Sequence, residues 1–259
     1  MKYLVVTIKD WNIEEYKEYS NKFEGEWHLI TNKEGLTLDN LKRINPEYIF
    51  FPHWSWMVPQ EIVDNFECVC FHMTDLPYGR GGSPLQNLII KGCKETKITA
   101  LKMTQELDAG GIYRKTHLSL HGSAQEIFVR ASKKISKLIN FIITEVPEPQ
   151  AQEGKVMTFK RRKPNQSEIL INENNSIDDI YNYIRMLDAD SYPNAYINYG
   201  DYRLLFSNAK IQNGRLLANV VIEENYYDPF LEEIYPYMQN SINLSIEIKR
   251  NSAHYVFKI

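Results

Sequence analysis

Cysteine is scarce in this chain. Cys68, Cys70 and Cys93 are the only three among 259 residues. An odd number, spaced as C-x-C plus one distant thiol, is neither a disulfide framework nor zinc-ligand spacing. Reduced thiols in a cytoplasmic protein are the expectation, with no metal. No apolar run approaches the roughly 18 residues of a membrane span, and the opening MKYLVVTIKDWN lacks a signal-peptide cleavage pattern. One-sided charge is also absent: 30 basic against 33 acidic residues leave a formal net charge of −3. That balance offers no chain-wide field to nucleic acid or to an anionic membrane. There is no internal repeat or low-complexity tract. With 43% hydrophobic residues, the chain can bury a core, which excludes disordered and collagenous classes.

The first half alternates short strand-like runs with helical patterns. Tyr3–Ile8, Trp27–Thr31, Tyr48–Phe51 and Cys68–Phe71 read as strands, separated by helical spacing over Ile13–Phe23, Thr37–Ile44 and Val58–Phe66. That rhythm predicts an α/β fold with a doubly wound, mainly parallel, Rossmann-like sheet. Lys97–Met103 and Ile112–Leu118, on either side of LDAGG, predict an antiparallel excursion of the same sheet. Ser123 and Glu126 form a capping box ahead of a helix with Ile127, Ala131, Ile135, Leu138 and Ile142 on one face.

The expected domains are 1–148 for the Rossmann-like unit, 149–175 for a proline- and charge-rich linker, and 176–259 for a smaller C-terminal domain. The last opens with a helix capped by Ser176 and continues as β-rich sequence. Its expected strands are Ala195–Tyr199, Tyr202–Phe206, Leu216–Ile222, Ile242–Ile248 and Tyr255–Ile259.

Chemistry-bearing residues cluster at two places. His72 follows the fourth strand and opens the loop HMTDLPYGRGGSP, at the sheet edge where open α/β folds bind ligands. The second is the turn Glu106–Gly111. Alone, the first is an exposed surface histidine as readily as a catalyst, and the second an ordinary hairpin turn.

Together they are specific. H-x-x-x-L-P-x-x-R-G-G-x-P with L-D-x-G, its Asp 36 residues after the His (108 minus 72), resembles the N10-formyltetrahydrofolate-dependent formyltransferase family. That family includes methionyl-tRNA, glycinamide ribonucleotide and nucleotide-sugar enzymes. The resemblance runs from the strand before His72 through Tyr113. It extends more weakly to FKRRKP and to Ile184–Ile211, which are similar to the second domain of sugar formyltransferases. It implies a formyltransferase with N10-formyltetrahydrofolate as donor. His72 is then the general acid/base, oriented by Asp108. Leu76, Pro77, Arg80, Gly81, Gly82, Leu107 and Gly110 are implied to line the donor's pterin pocket.

One position departs from the family. The pattern carries Asn two residues before the catalytic His; here it is Cys70. A thiol is a weak donor, and loss of one oxyanion donor costs about 10²–10³ in rate. Three consequences stay open: an inactive chain, a compensating donor among His53, Gln86 and Asn87, or an oxyanion stabilised by His72.

Aromatics after a strand are more often core than ligand wall, and a basic run is more often a solvated loop. Within those alternatives, Trp54, Arg161 and Arg162 are the candidates for substrate contact. A short, slightly acidic chain with a β-rich extension leads to an expected acceptor that is a nucleotide-linked amino sugar, within cell-surface polysaccharide synthesis. The expected partners are therefore small molecules, without nucleic acid or membrane, with a homodimer open. The alternatives are another amine, on methionyl-tRNA or a carrier-bound amino acid, or a degenerate folate- or nucleotide-binding module.

Overall fold

A computed structural model describes residues 1–172, 175–190 and 192–224. The expected strands at Ile242–Ile248 and Tyr255–Ile259 lie outside the described residues.

Elements follow in the order β1 (Lys2–Val6), α1 (Asp10–Tyr19), β2 (Glu26–Ile30), α2 (Leu38–Ile44), β3 (Tyr48–Phe51), α3 (Gln60–Asn65) and β4 (Cys68–His72). Then come β5 (Tyr78–Gly81), α4 (Pro84–Ile90), β6 (Glu95–Lys102), β7 (Ile112–Ser119) and α5 (Ala124–Glu145). The remainder is β8 (Met157–Phe159), a 3₁₀ turn at Pro164–Ser167, α6 (Ile177–Arg185), β9 (Ala195–Tyr199), β10 (Tyr202–Gln212) and β11 (Arg215–Glu224).

The main sheet has the order β2-β1-β3-β4-β6-β7, parallel through β4 and antiparallel beyond it. The Rossmann-like sheet with an antiparallel excursion is therefore present. Its strands are apolar on both faces because helices cover both. Tyr3, Val5, Phe50, Val69 and Phe71 point to one core, which α1 and α5 close. Leu4, Val6, Ile49, Phe51 and Cys68 point to the other, under α2 and α3. This two-residue alternation puts Cys68, Cys70 and His72 on one face of β4.

Capping sets several helix starts. Thr37 accepts from Asn40 N–H at α2, while Ser123 and Glu126 satisfy each other's backbone donors at α5. From there Ile127, Ala131, Ile135, Leu138, Ile139 and Ile142 bury a continuous stripe against the sheet.

The stretch expected as a linker is bonded into the first unit over much of its length. Ile112 and Gln150 exchange two backbone hydrogen bonds of 2.7 and 2.9 Å, and β8 pairs in parallel with β5. Prolines and charge mark a stretch poor in regular structure, but they carry no signal for these cross-strand bonds. Farther on, Ile184, Met186, Leu187 and Ala195 enter the same core as α5. Buried Arg185 donates to the Leu120 and Gly122 carbonyls at 2.6 and 2.9 Å. The three-stranded sheet β11-β10-β9 extends from that anchor.

Ile139 is fully buried at the centre of the α5 stripe, so Ile139→Ala is expected to cost about 2–5 kcal/mol. Equilibrium urea unfolding measures it.

Candidate active site

His72 and Asp108 meet at the carboxyl edge of the parallel strands. His72 ends β4 with its side chain 9% exposed, and Asp108 reaches it with its own side chain 10% exposed. The approach is Nδ1 to Oδ2 at 3.5 Å, longer than a tight hydrogen bond. On the other side, His72 Nε2 lies 2.7 Å from the Gly79 carbonyl. A carbonyl can only accept, so Nε2 carries a proton, and Nδ1 is the nitrogen that faces Asp108.

Asp108 is positioned from three directions. Its Oδ2 accepts the Gly81 N–H at 2.8 Å. Its backbone is left-handed, φ 54°, and Gln152 Nε2 clamps the turn by donating to the Asp108 and Gly110 carbonyls at 2.8 and 2.9 Å. Arg80 holds Gln152 through Oε1 and forms an ion pair of 3.0 Å with Glu106. Gly110 permits the close approach, because a Cβ there would stand 1.9 Å from the Lys102 carbonyl oxygen. Gly81 is equally constrained, with φ 101° and the Phe159 carbonyl 2.5 Å from a built Cβ.

His72 and Asp108 open onto a cavity of about 170 Å³, also lined by Cys70, Phe51, Trp54, Trp56, Met103 and Leu107. Burial, with the Asp108 carboxylate nearby, pushes the Cys70 thiol well above its ordinary range, so it stays neutral. The indole N–H groups of Trp54 and Trp56 are buried with no acceptor among the described residues.

Of the residues expected to line a donor pocket, Leu107 stands on this cavity, and so does Trp54, which was expected to contact the substrate. Leu76, Pro77, Arg80, Gly81, Gly82 and Gly110 are placed elsewhere. Leu76 is fully buried ahead of the cis bond to Pro77, and the Gly81 N–H, Arg80 and Gly110 serve to hold Asp108. A Cβ on Gly82 would fall 2.6 Å from the Arg161 Cα, so that glycine lets β8's exit pass close. Arg162 turns to Tyr183 Oη at 3.1 Å, while Arg161 is exposed. The Trp56 and Gln152 contributions were not legible in the motif: one lies in an aromatic run, the other 44 residues beyond Asp108 (152 minus 108).

His53, in the loop after β3, also lines the cavity. Its ring packs against Trp11 and Phe128, with centroids 5.5 and 4.7 Å away, and its Nε2 meets Tyr192 Oη at 3.1 Å. Burial, reinforced by the Lys9 charge, pushes its imidazole down to about 3.

Residues 23–136 match the family model described as formyl transferase, and residues 164–223 the one described as methionyl-tRNA formyltransferase, C-terminal domain. A solved methionyl-tRNA formyltransferase from Clostridium thermocellum is 51% identical, with TM-score 0.84, covering 87% of this chain and 100% of that one. The chain belongs to the N10-formyltetrahydrofolate-dependent formyltransferase family. Among curated relatives, methionyl-tRNA formyltransferase of Campylobacter curvus is 28% identical over 158 residues, 60% of this chain and 52% of that protein. The chain thus spans about half the length of such a curated relative. A sugar N-formyltransferase from Shewanella sp. shares 16% identity, with TM-score 0.61 over 86% of this chain and 98% of that one, which is likeness of fold alone.

These relations correct two expectations for this formyltransferase-family chain. The amino-sugar acceptor, with its place in polysaccharide synthesis, is overturned by the 51% identical methionyl-tRNA formyltransferase. The expected absence of a nucleic-acid partner is overturned by the same relative and by the curated ones. The physical reason is that net charge is a sum: a value of −3 for the whole chain is compatible with a local basic run such as Lys160–Lys163. Among the described residues, no helix is long and apolar enough to cross a membrane.

Gly110→Ala is expected to displace the Asp108 turn, lowering both the urea midpoint and turnover. For His53, the unfolded chain binds a proton near the ordinary value of 6.5 that the folded chain refuses down to about 3. Stability therefore falls as pH drops below 6.5, by roughly 1 kcal/mol per pH unit after screening of the half-buried ring. His53→Phe flattens that acid limb in urea titrations at successive pH values.

Proposed function

We propose that the protein transfers a formyl group from N10-formyltetrahydrofolate to the α-amine of methionine carried on tRNA. The observation that carries this reading is the buried His72–Asp108 pair, braced by the Gly81 N–H and opening onto one cavity. The donor's fit rests on the same cavity. Its aromatic walls and the two unpartnered indole donors of Trp54 and Trp56 suit a flat heteroaromatic ring bearing hydrogen-bond acceptors.

The donor supplies an activated formyl carbon, and the chain supplies proton handling. As the amine adds to that carbon it becomes acidic, and His72 Nδ1 takes its proton. The Asp108 carboxylate, 3.5 Å away, balances the imidazolium that results. The same proton then goes to the departing N10. Because Gly79 holds Nε2, the ring keeps its plane through both transfers.

Our division of labour assigns donor and chemistry to 1–148, a braced connection to 149–175 and acceptor contact to 176–259, with Arg161 and Arg162 beside it. Phosphates of a tRNA acceptor stem are the natural partners of the exposed Arg161 and its basic neighbours. The relatives named as methionyl-tRNA formyltransferases support this acceptor over other amines.

The test is formyl transfer to methionyl-tRNA, followed as formylmethionine released from the tRNA. His72→Ala is expected to lower kcat about 10²–10⁴-fold, and Asp108→Asn to lower it without abolishing folding. Absence of formylmethionine with wild-type protein, donor and charged tRNA overturns the reading.

A further inference from the structure

Cys70 leaves a gap in the chemistry above. In the family pattern an amide at this position donates toward the reacting oxygen, and a neutral buried thiol is a weak replacement. Two of the amides that could compensate are committed elsewhere. Gln86 Nε2 donates to the Met186 carbonyl at 3.3 Å, and Asn87 Nδ2 to the carbonyls of Gly82, Ser83 and Lys160.

His53 is differently placed. Phe51 pairs with Cys70 across the parallel strands β3 and β4, and His53 and His72 each lie two residues beyond that pair. Both line the same cavity. The His53 backbone is left-handed at φ 54°, unusual for a side chain of this size. Asn12 steadies the turn by donating to the Pro52 carbonyl.

The tautomer turns on the contact with Tyr192. Burial pushes that phenol up to about 12, so its hydroxyl keeps its proton, and His53 Nε2 is its partner at 3.1 Å. No other acceptor among the described residues takes the proton. The 3.1 Å contact accommodates the hydroxyl as donor to Nε2, and in that arrangement the neutral ring carries its hydrogen on Nδ1. That Nδ1–H has no acceptor among the described residues.

We propose that His53 Nδ1–H donates to the formyl oxygen, taking the part of the amide missing at position 70. The proposal rests on the formyl-transfer reading but not on the identity of the acceptor. Charge developing on the formyl oxygen meets a preorganised donor held by Tyr192, Trp11 and Phe128, while His72 is left to move protons.

Two measurements test it. In His53→Phe, which keeps an aromatic ring between Trp11 and Phe128, kcat is expected to fall about 10²–10³-fold, with donor KM little changed. Adding Cys70→Asn to that variant is expected to recover most of the loss. A His53→Phe enzyme within threefold of wild type overturns the proposal, as does a deficit that Cys70→Asn leaves untouched. The second measurement uses wild-type protein, no acceptor, and ¹⁵N-labelled histidine followed by NMR with N10-formyltetrahydrofolate or tetrahydrofolate. A His53 Nδ1–H signal that shifts with the formylated ligand alone supports the proposal. An Nε2–H tautomer, or equal shifts with both ligands, overturns it. If wild-type protein fails to formylate methionyl-tRNA while this NMR response is present, the acceptor assignment fails and the role of His53 stands.

Discussion

The carboxylate of Asp108 is the contact on which the site depends. Its Oδ2 receives the Gly81 N–H and faces His72 Nδ1, joining the β6–β7 turn to the loop after β4. A carboxylate this buried needs partners, because an unpaired charge away from water is costly. The surrounding chain supplies and places them. Gly110 allows the turn to lie against the Lys102 carbonyl, Gln152 donates to the turn's Asp108 and Gly110 carbonyls, and Arg80 fixes Gln152. Residues that first read as a ligand loop also form the frame of the His72–Asp108 pair.

Much of the first half was legible because its signals are local. The alternation of runs such as YLVV and YIFF with helical spacing reflects a sheet buried on both faces, and the S-x-x-E box before Ala124 states its own hydrogen bonds. The pairing of His72 with Asp108 was legible only through the joint motif, since nothing local brings residues 72 and 108 together. Antiparallel pairing of β4 with β6 does so, aligning His72 with Thr99 and leaving the turn beyond β6 free to fold back.

What escaped the sequence is non-local or averaged. Gln152 reads as one polar residue in a proline-rich stretch, yet it bonds the turn at both the Asp108 and the Gly110 carbonyls. The walls of the cavity come from the 51–58 segment and from residues 101–108, so an aromatic run that resembles core packing turns out to face an opening. The acceptor was misread for a similar reason. Net charge integrates over the surface, whereas a polyanion meets one patch of it, and Lys160–Lys163 concentrates four positive charges in consecutive positions.

The substitution at position 70 and the conformation at position 53 are best understood as one adjustment. An amide on β4 would reach the reacting oxygen from a regular strand, with no backbone penalty. Once that position holds a thiol, a donor must come from the neighbouring strand's loop, and the chain after Phe51 has to turn sharply to present it. The left-handed backbone of His53, the Asn12 brace on Pro52 and the Tyr192 hydroxyl on Nε2 are the means of that presentation. Strain of this kind persists where surrounding contacts over-determine it, and the Trp11 and Phe128 rings supply those contacts. Keeping this imidazole neutral would also give the two histidines separate roles in the proposed reaction, because His53 would not compete for the proton assigned there to His72.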